Sequence, residues 1–174
     1  MTALLPRLAA ALLVAAFAAP SPARADAFPG LRVSGGAVWH VDPDRAPYGA
    51  LDVLAMAQLY GLDGDELFVN TLLGYGYEGD ATHLVQLGAE VGLAPSVHFQ
   101  AELGARGVLG SSRGELGGGV RLTAGADFVL GIFHVEAAYQ ALATRGDVEH
   151  DLRVMAGVDF FRFLLVPIML MGMH

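Results

Sequence analysis

The chain has 174 residues, no cysteine and a formal net charge of −8, and hydrophobic residues make up 54% of it. The acidic balance argues against nucleic acid as a partner, and the lack of cysteine excludes disulfides and thiolate metal sites. No stretch after residue 25 approaches the roughly 18 consecutive apolar residues that indicate a membrane-spanning helix. The high apolar content therefore needs another explanation.

The N-terminal segment has the three parts of a secretory signal peptide. Arg7 supplies a positive charge, residues 8–19 form a continuous apolar run, and the small residues around Arg24 fit the cleavage rule. We therefore predict a signal peptide over residues 1–25 and one mature domain over residues 26–174.

Period-two alternation of apolar and polar residues predicts eight β-strands in the mature domain. In the clearest segment, residues 82–93, Val85 and Leu87 share one side while Gln86 and Glu90 share the other. Short segments rich in Gly, Pro, Asp and Ser, which tolerate turn conformations, separate the strands. The predicted strands cover about residues 31–41, 50–61, 67–77, 82–93, 97–109, 120–130 and 132–143, and an eighth begins near residue 152 and reaches at least Phe161.

The predicted connections alternate in length along the chain. Those after the second, fourth and sixth strands are short, and those after the odd-numbered strands are longer, at residues 42–49, 78–80, 110–118 and 144–151. An outer-membrane barrel has short periplasmic turns and longer extracellular loops. Strands of about ten to twelve residues, tilted by roughly 45°, also match the thickness of the membrane hydrocarbon.

One face of the predicted strands is almost free of charge, whereas the other collects charged residues and many glycines. Glycine suits a crowded barrel interior, and unpaired charges are costly to bury, so we predict an ion-pair network inside the barrel. The predicted members of this structural network are Arg32, Asp52, Glu90, Glu102, Arg106, Arg121, Asp127, Glu136, Arg153 and Asp159. Aromatic residues near the strand ends are predicted to form interfacial girdles, namely Trp39, Tyr60, Tyr75, Tyr77 and Tyr139.

The predicted fold is all-β: an eight-stranded antiparallel up-and-down transmembrane β-barrel. In its signal peptide, alternating strands and pattern of connections, the chain resembles the small eight-stranded outer-membrane barrels of Gram-negative bacteria. The resemblance implies location in the cell outer membrane after export, with outer-membrane lipid, lipopolysaccharide and the barrel assembly machinery as partners. Its members include structural anchors, adhesion and surface-defence proteins, and a few lipid-modifying enzymes. We expect a monomer with a side-chain-filled lumen and a structural or surface-interaction role, without a large pore.

A soluble periplasmic barrel of the lipocalin type, carrying an apolar ligand, is the main alternative, because its strands would also alternate. Such a barrel would place the apolar face inside and the charged face in water.

The C-terminal segment departs from the outer-membrane pattern, in which the last strand ends the chain on an aromatic residue. Phe160, Phe161 and Phe163 lie in a suitable strand, but an apolar tail over residues 164–174 follows them. Pro167 cannot donate to a central ladder, and the tail is too short to span as a helix. We expect strand eight to extend to Val166, with the remainder lying against the rim.

Histidine can serve as a metal ligand or as a general base. His40, His98 and His134 fall on the polar face, and His134 with Glu136 near Glu102 could hold a metal ion or act as a general base. We favour a hydrogen-bonded lumen network instead and expect no metal and no cofactor.

A lipid-modifying enzyme is a further alternative, for which Ser111 or Ser112 with His150 and Glu149 would be the candidate residues. No nucleophile motif surrounds the serines, so we expect no catalytic residue. The excess of acid in the predicted outer loops could hold divalent cations, although solvated charge is the favoured interpretation. These acidic residues are Asp42, Asp44, Glu78, Asp80, Glu115, Asp147, Glu149 and Asp151.

Overall fold

The structure is a computed structural model that describes residues 27–42, 45–60, 67–79, 81–96, 98–112, 115–144 and 147–171. The predicted signal peptide and the loop residues Asp44 and Asp80 lie outside the described residues. Among the described residues, no helix is both long enough and apolar enough to cross a membrane.

Eight strands pair antiparallel with their neighbours in chain order, and the last pairs with the first, so the sheet closes into an up-and-down barrel. The predicted eight-stranded fold is confirmed. The strands are β1 (Ala27–His40), β2 (Tyr48–Tyr60), β3 (Leu67–Glu78), β4 (Thr82–Ser96), β5 (Phe99–Ser112), β6 (Glu115–Phe128), β7 (Phe133–Ala143) and β8 (Val148–Asp159).

The barrel closes with a shear of ten residues. Stepping from each residue to its partner on the next strand, the ring runs from Gly30 through Met56, Leu72, Gly88, Arg106, Arg121, Gln140 and Asp151, and it returns to the first strand at His40, ten residues beyond Gly30. Eight strands with this shear are tilted by about 40° from the barrel axis, and they enclose an interior narrow enough for side chains to fill.

The barrel has two ends, named here by what lies at them. The terminal end is where β1 begins and β8 ends, together with the connections that follow β2, β4 and β6. The loop end carries the connections that follow β1, β3, β5 and β7.

The charged face of every strand points inward and the apolar face points outward. Leu87 is 67% exposed and Leu103 is 64% exposed, whereas Arg121 is fully buried. This polarity is the reverse of that expected for a soluble barrel with an apolar interior.

The predicted Gly-rich loop over residues 110–118 is wrong, because β5 and β6 continue through it and pair Ser112 with Glu115. Glycine belongs in these strands because they pack tightly against their neighbours. A Cβ atom on Gly117, for example, would lie 2.7 Å from the carbonyl oxygen of Ala143. Gly composition alone does not separate such a strand from a loop.

Two other connections also depart from the predicted alternation in length. The predicted loop over residues 144–151 is shorter because β8 begins at Val148, whereas the predicted short connection after β2 spans residues 61–66. The prediction of long and short connections in alternation is therefore wrong.

The chain beyond β8 forms a helix, α1 (Phe160–Met171), so the prediction that strand eight reaches Phe161 and extends to Val166 is also wrong. The Asp159 Oδ1 atom accepts hydrogen bonds from the backbone N–H groups of Phe161 at 3.0 Å and Arg162 at 3.2 Å. An aspartate that satisfies the first free N–H groups in this way caps and starts a helix.

Candidate functional site: the charged lumen

The inward-facing polar residues form two clusters, one above the other along the barrel. The terminal-side cluster consists of Arg32, Glu90, Glu102, Arg106, Asp127, His134 and Glu136, whose strand positions place them toward the terminal end. The loop-side cluster consists of Asp52, Glu78, Gln86, Arg121, Gln140 and Arg153. All of these residues are buried.

In the terminal-side cluster, Arg32 connects residues from three other strands. Its Nη1 atom donates to Glu102 Oε1 at 2.9 Å and lies 3.1 Å from His134 Nε2, while Nη2 lies 3.4 Å from Asp127. Because a guanidinium can only donate, His134 Nε2 is the acceptor and its Nδ1–H donates to Asp127 at 2.7 Å. The geometry therefore fits a neutral imidazole with its proton on Nδ1.

Arg106 provides the second cation of this cluster. Its Nη2 atom donates to Glu90 at 2.5 Å and to Glu136, which lies on β7. Asn70, which was not among the predicted residues, donates to Glu102 at 3.1 Å. The cluster thus ties β1, β3, β4, β5, β6 and β7 together across the lumen.

Glu102, Asp127 and His134 place one ligand atom each within 4.8 Å of one another, an arrangement that could hold a metal ion. Arg32, however, donates to Glu102 and also contacts both Asp127 and His134. The guanidinium therefore supplies the positive charge that a metal ion would bring, and these residues support a structural network.

In the loop-side cluster, two arginines share one carboxylate. Arg121 donates to Asp52 Oδ2 at 2.8 Å, and Arg153 donates to the same oxygen at 3.2 Å and to Glu78 at 2.5 Å. Gln86 and Gln140 accept further hydrogen bonds from Arg121, at 2.8 Å and 3.0 Å.

The two clusters differ in charge. The loop-side cluster has two arginines for two carboxylates, whereas the terminal-side cluster has two arginines for four carboxylates. The excess of carboxylates over arginines in these two clusters thus lies toward the terminal end, where Asp159 and the buried Arg162 of α1 are also found.

Glycines make room for the large charged side chains. A Cβ atom on Gly88 would lie 2.7 Å from Arg106 Cα and 2.9 Å from its Cγ, and one on Gly76 would lie 3.0 Å from Gln86 Nε2. Apolar residues occupy other parts of the interior, where they form one cluster of Leu54, Met56 and Leu72 and another of Leu84, Val108 and Leu142.

Two members of the interior were assigned to solvated loops by the sequence analysis. Glu78 and Asp151 are each 2% exposed and point inward, so that assignment is wrong. The alternation in the sequence could have predicted the inward direction of Glu78, because Glu78 continues the inward-facing series of Gly74 and Gly76 along β3. The contribution of Arg162 could not be seen without knowing that a helix follows β8.

The described histidines lie in different parts of the barrel. His134 is in the lumen, and the largely buried His40 bonds Asp151 through Nδ1 at 2.5 Å near the loop end. His98 lies exposed in the connection before β5, so its predicted place on the lumen face is wrong. His83 lies beside Tyr77, with ring centroids 5.2 Å apart.

A cleft of about 290 Å³ lies at the loop end between the β1–β2 and β7–β8 connections. Arg45 bonds Glu149 across it at 2.9 Å, and this hydrogen bond raises the pKa of Arg45.

The candidate hydrolase residues lie apart from one another. His150 bonds the hydroxyl of Tyr139 at 2.6 Å rather than a serine. Ser111 lies on β5, and β6 and β7 separate it from His150 on β8, so the structure does not assemble the candidate hydrolase residues.

Aromatic residues mark both edges of the outer wall. Trp39, Tyr77 and Tyr139 are outward-facing toward the loop end, at 42%, 40% and 38% exposure, and the partly exposed Tyr75 lies with them on β3. The side chain of Tyr60 lies outside what the structure describes. A phenylalanine group marks the terminal end, where the tilted rings of Phe99 and Phe128 contact each other with centroids 5.5 Å apart. These phenylalanines were not among the predicted girdle residues.

No protein-family model matches the chain, and no curated protein matches it. Among solved structures, it is similar to a de novo designed transmembrane β-barrel, with 17% identity and a TM-score of 0.41 over 74% of this chain and 95% of that chain. It is similar to Neisserial surface protein A (NspA), with 13% identity and a TM-score of 0.45 over 77% and 99% of the two chains. It is also similar to Ail, the attachment invasion locus protein of Yersinia pestis, with 12% identity and a TM-score of 0.43 over 76% and 97%.

Proposed function

We propose that the protein is an outer-membrane β-barrel with a side-chain-filled lumen and a structural or surface-interaction role. The observation that carries this proposal is the reversed polarity of the barrel: four arginines are buried inside, and leucine, valine and phenylalanine cover the outside.

The outer wall is too apolar to face water. Soluble monomers rarely expose a contiguous apolar patch of more than a few hundred Å², yet here every strand contributes outward apolar residues. On β6, exposed Leu116, Val120, Leu122 and Phe128 follow one another from the loop end to the terminal end. This row spans about 30 Å along the barrel axis at the usual strand rise and a tilt of about 40°, comparable to the apolar band of known membrane barrels.

The periplasmic carrier receives no support from this interior. A carrier of apolar ligands needs an apolar lumen, whereas Arg32, Arg106, Arg121 and Arg153 and their carboxylate partners occupy it here. The filled interior also favours a role other than that of a wide pore. The filled interior and the short connections at the loop end together favour a compact barrel that other molecules would contact at its rim.

The experiment is gel mobility of the separated outer-membrane fraction, with and without boiling. A membrane barrel is expected in that fraction, soluble only in detergent, with a mobility that shifts when heat unfolds it. The same protein unfolded in urea before loading is the control and should show only the unfolded mobility. Recovery of the folded protein from the soluble periplasm would contradict the proposal.

A further inference from the structure

Helix α1 presents a row of apolar side chains away from the barrel. Phe163, Leu164, Ile168 and Met171 are 52%, 60%, 60% and 70% exposed, and their spacing places them on one helix face. With Phe160, they form what is called here the apolar stripe. No charged residue occurs in the helix after Arg162.

The opposite side of the helix is fixed to the terminal end of the barrel. Asp159 caps the helix, and the Arg162 Nε atom lies 3.9 Å from Asp159 Oδ2. The Arg162 guanidinium also packs against Gly131 in the β6–β7 connection, at a place where a Cβ atom would collide with it. The one charged side chain of α1 therefore points toward the barrel, and the stripe points away from it.

The stripe is continuous with the outer wall. Along β8, Leu152 and Val154 face outward at 53% and 54% exposure, and Phe160, at 45% exposure, continues this series at the point where the helix begins. The surroundings that contact the outer face of β8 therefore also contact Phe160, the first residue of the apolar stripe.

We propose that α1 lies in the boundary between headgroups and acyl chains of the lipid leaflet at the terminal end, where it anchors the barrel to that leaflet. This inference rests on the proposed membrane location. With 12 residues, the helix is about 18 Å long, too short to cross about 30 Å of hydrocarbon, so it lies along the surface. Lipid is the occupant, rather than a second copy of the chain, because the stripe adjoins the lipid-facing wall and offers no polar side chain to specify a protein contact.

The test uses tryptophan fluorescence in vesicles of phosphatidylcholine brominated either near the headgroup or near the methyl end of the acyl chain. The protein has one tryptophan, Trp39, which reports insertion of the barrel. The helix is reported by an indole introduced through Ile168→Trp in a Trp39→Phe background. Ala46→Trp in the same background places an indole in an exposed connection at the loop end and is the matched control.

The indole at position 168 is expected to be quenched as strongly as Trp39 by bromine near the headgroup, and the indole at position 46 much less. Quenching at position 168 no greater than at position 46, with Trp39 quenched, would overturn the anchor and leave the barrel proposal intact. An indole at 168 that is shielded from iodide but not quenched by bromine would indicate a protein contact and would also overturn it. Absence of quenching at Trp39 would instead refute the membrane location. Phe163→Trp repeats the measurement if Ile168→Trp does not show the folded gel mobility.

Discussion

The buried arginines define the molecule at the scale of single residues. A charge moved into a low-dielectric interior loses several kcal/mol of hydration, and only close, well-oriented partners offset this loss. Arg106 illustrates the solution, because it lies against Glu90 on the neighbouring strand and reaches Glu136 on β7. Each lumen arginine is therefore held by residues far from it in sequence.

Replacing Arg106 with methionine is expected to lower the free energy of unfolding by about 3–5 kcal/mol, because Glu90 and Glu136 would remain buried without their cation. Urea unfolding in lipid vesicles, followed by gel mobility, measures the change. Arg45→Met is the matched control, since the Arg45–Glu149 pair is partly exposed and should contribute about 0–1 kcal/mol. Equal effects of the two substitutions would contradict the proposed role of the lumen network.

At the scale of the strand, one alternating pattern serves two environments. Successive residues of β6 point to the lumen and to the outer wall in turn, so Arg121 is fully buried while Leu122 beside it is 55% exposed. The same type of substitution should therefore affect stability differently at two neighbouring positions, because one faces the lumen and the other faces the outer wall.

Leu122→Arg is expected to destabilise the barrel in a bilayer by about 2–4 kcal/mol, because Leu122 lies near the middle of the apolar wall. Leu116→Arg, near the loop end of the same strand, should cost only about 0–1 kcal/mol. The measurement is urea unfolding in vesicles, and a soluble barrel would tolerate both changes on its water-facing wall. Equal tolerance of the two substitutions would refute the lipid-facing assignment.

Alternation was sufficient to predict the eight strands and the inward direction of the charged residues, because a strand with two different faces must show a period of two. It could not predict the pairing of charges. Arg32 meets Glu102, 70 positions away, only because the closed ring brings β1 and β5 across the lumen from each other. The helix was missed for another reason: every residue of α1 after Arg162 is apolar, and such a short run has no period that separates a strand from a helix.

At the scale of the whole molecule, the up-and-down connections separate the loop end from the terminal end, so the proposed membrane location would place the two ends on opposite sides of the bilayer. The β1–β2 connection contains the exposed Ala46 at the loop end, and Ser96 is exposed at the terminal end. Export followed by insertion from the periplasm would leave the loop end outside the cell.

Because the chain has no cysteine, single substitutions can report this orientation. Ala46→Cys is expected to react with a membrane-impermeant maleimide on intact cells, and Ser96→Cys only after the outer membrane has been permeabilised. The extent of labelling, measured by a mass shift on a gel, distinguishes the two sides. Labelling of position 96 but not of position 46 on intact cells would indicate the opposite orientation, with the terminal end outside the cell.

The pairing of β1 with β8 has a consequence for biosynthesis. Arg32 pairs with Asp159, so the ring can be joined only after almost the entire chain has been made. A chain that stopped before β8 would leave two strands with unpaired N–H and C=O groups, which hydrocarbon does not tolerate. In the proposed membrane location, a product truncated before β8 would therefore have no stable place in the bilayer and would stay exposed to proteases.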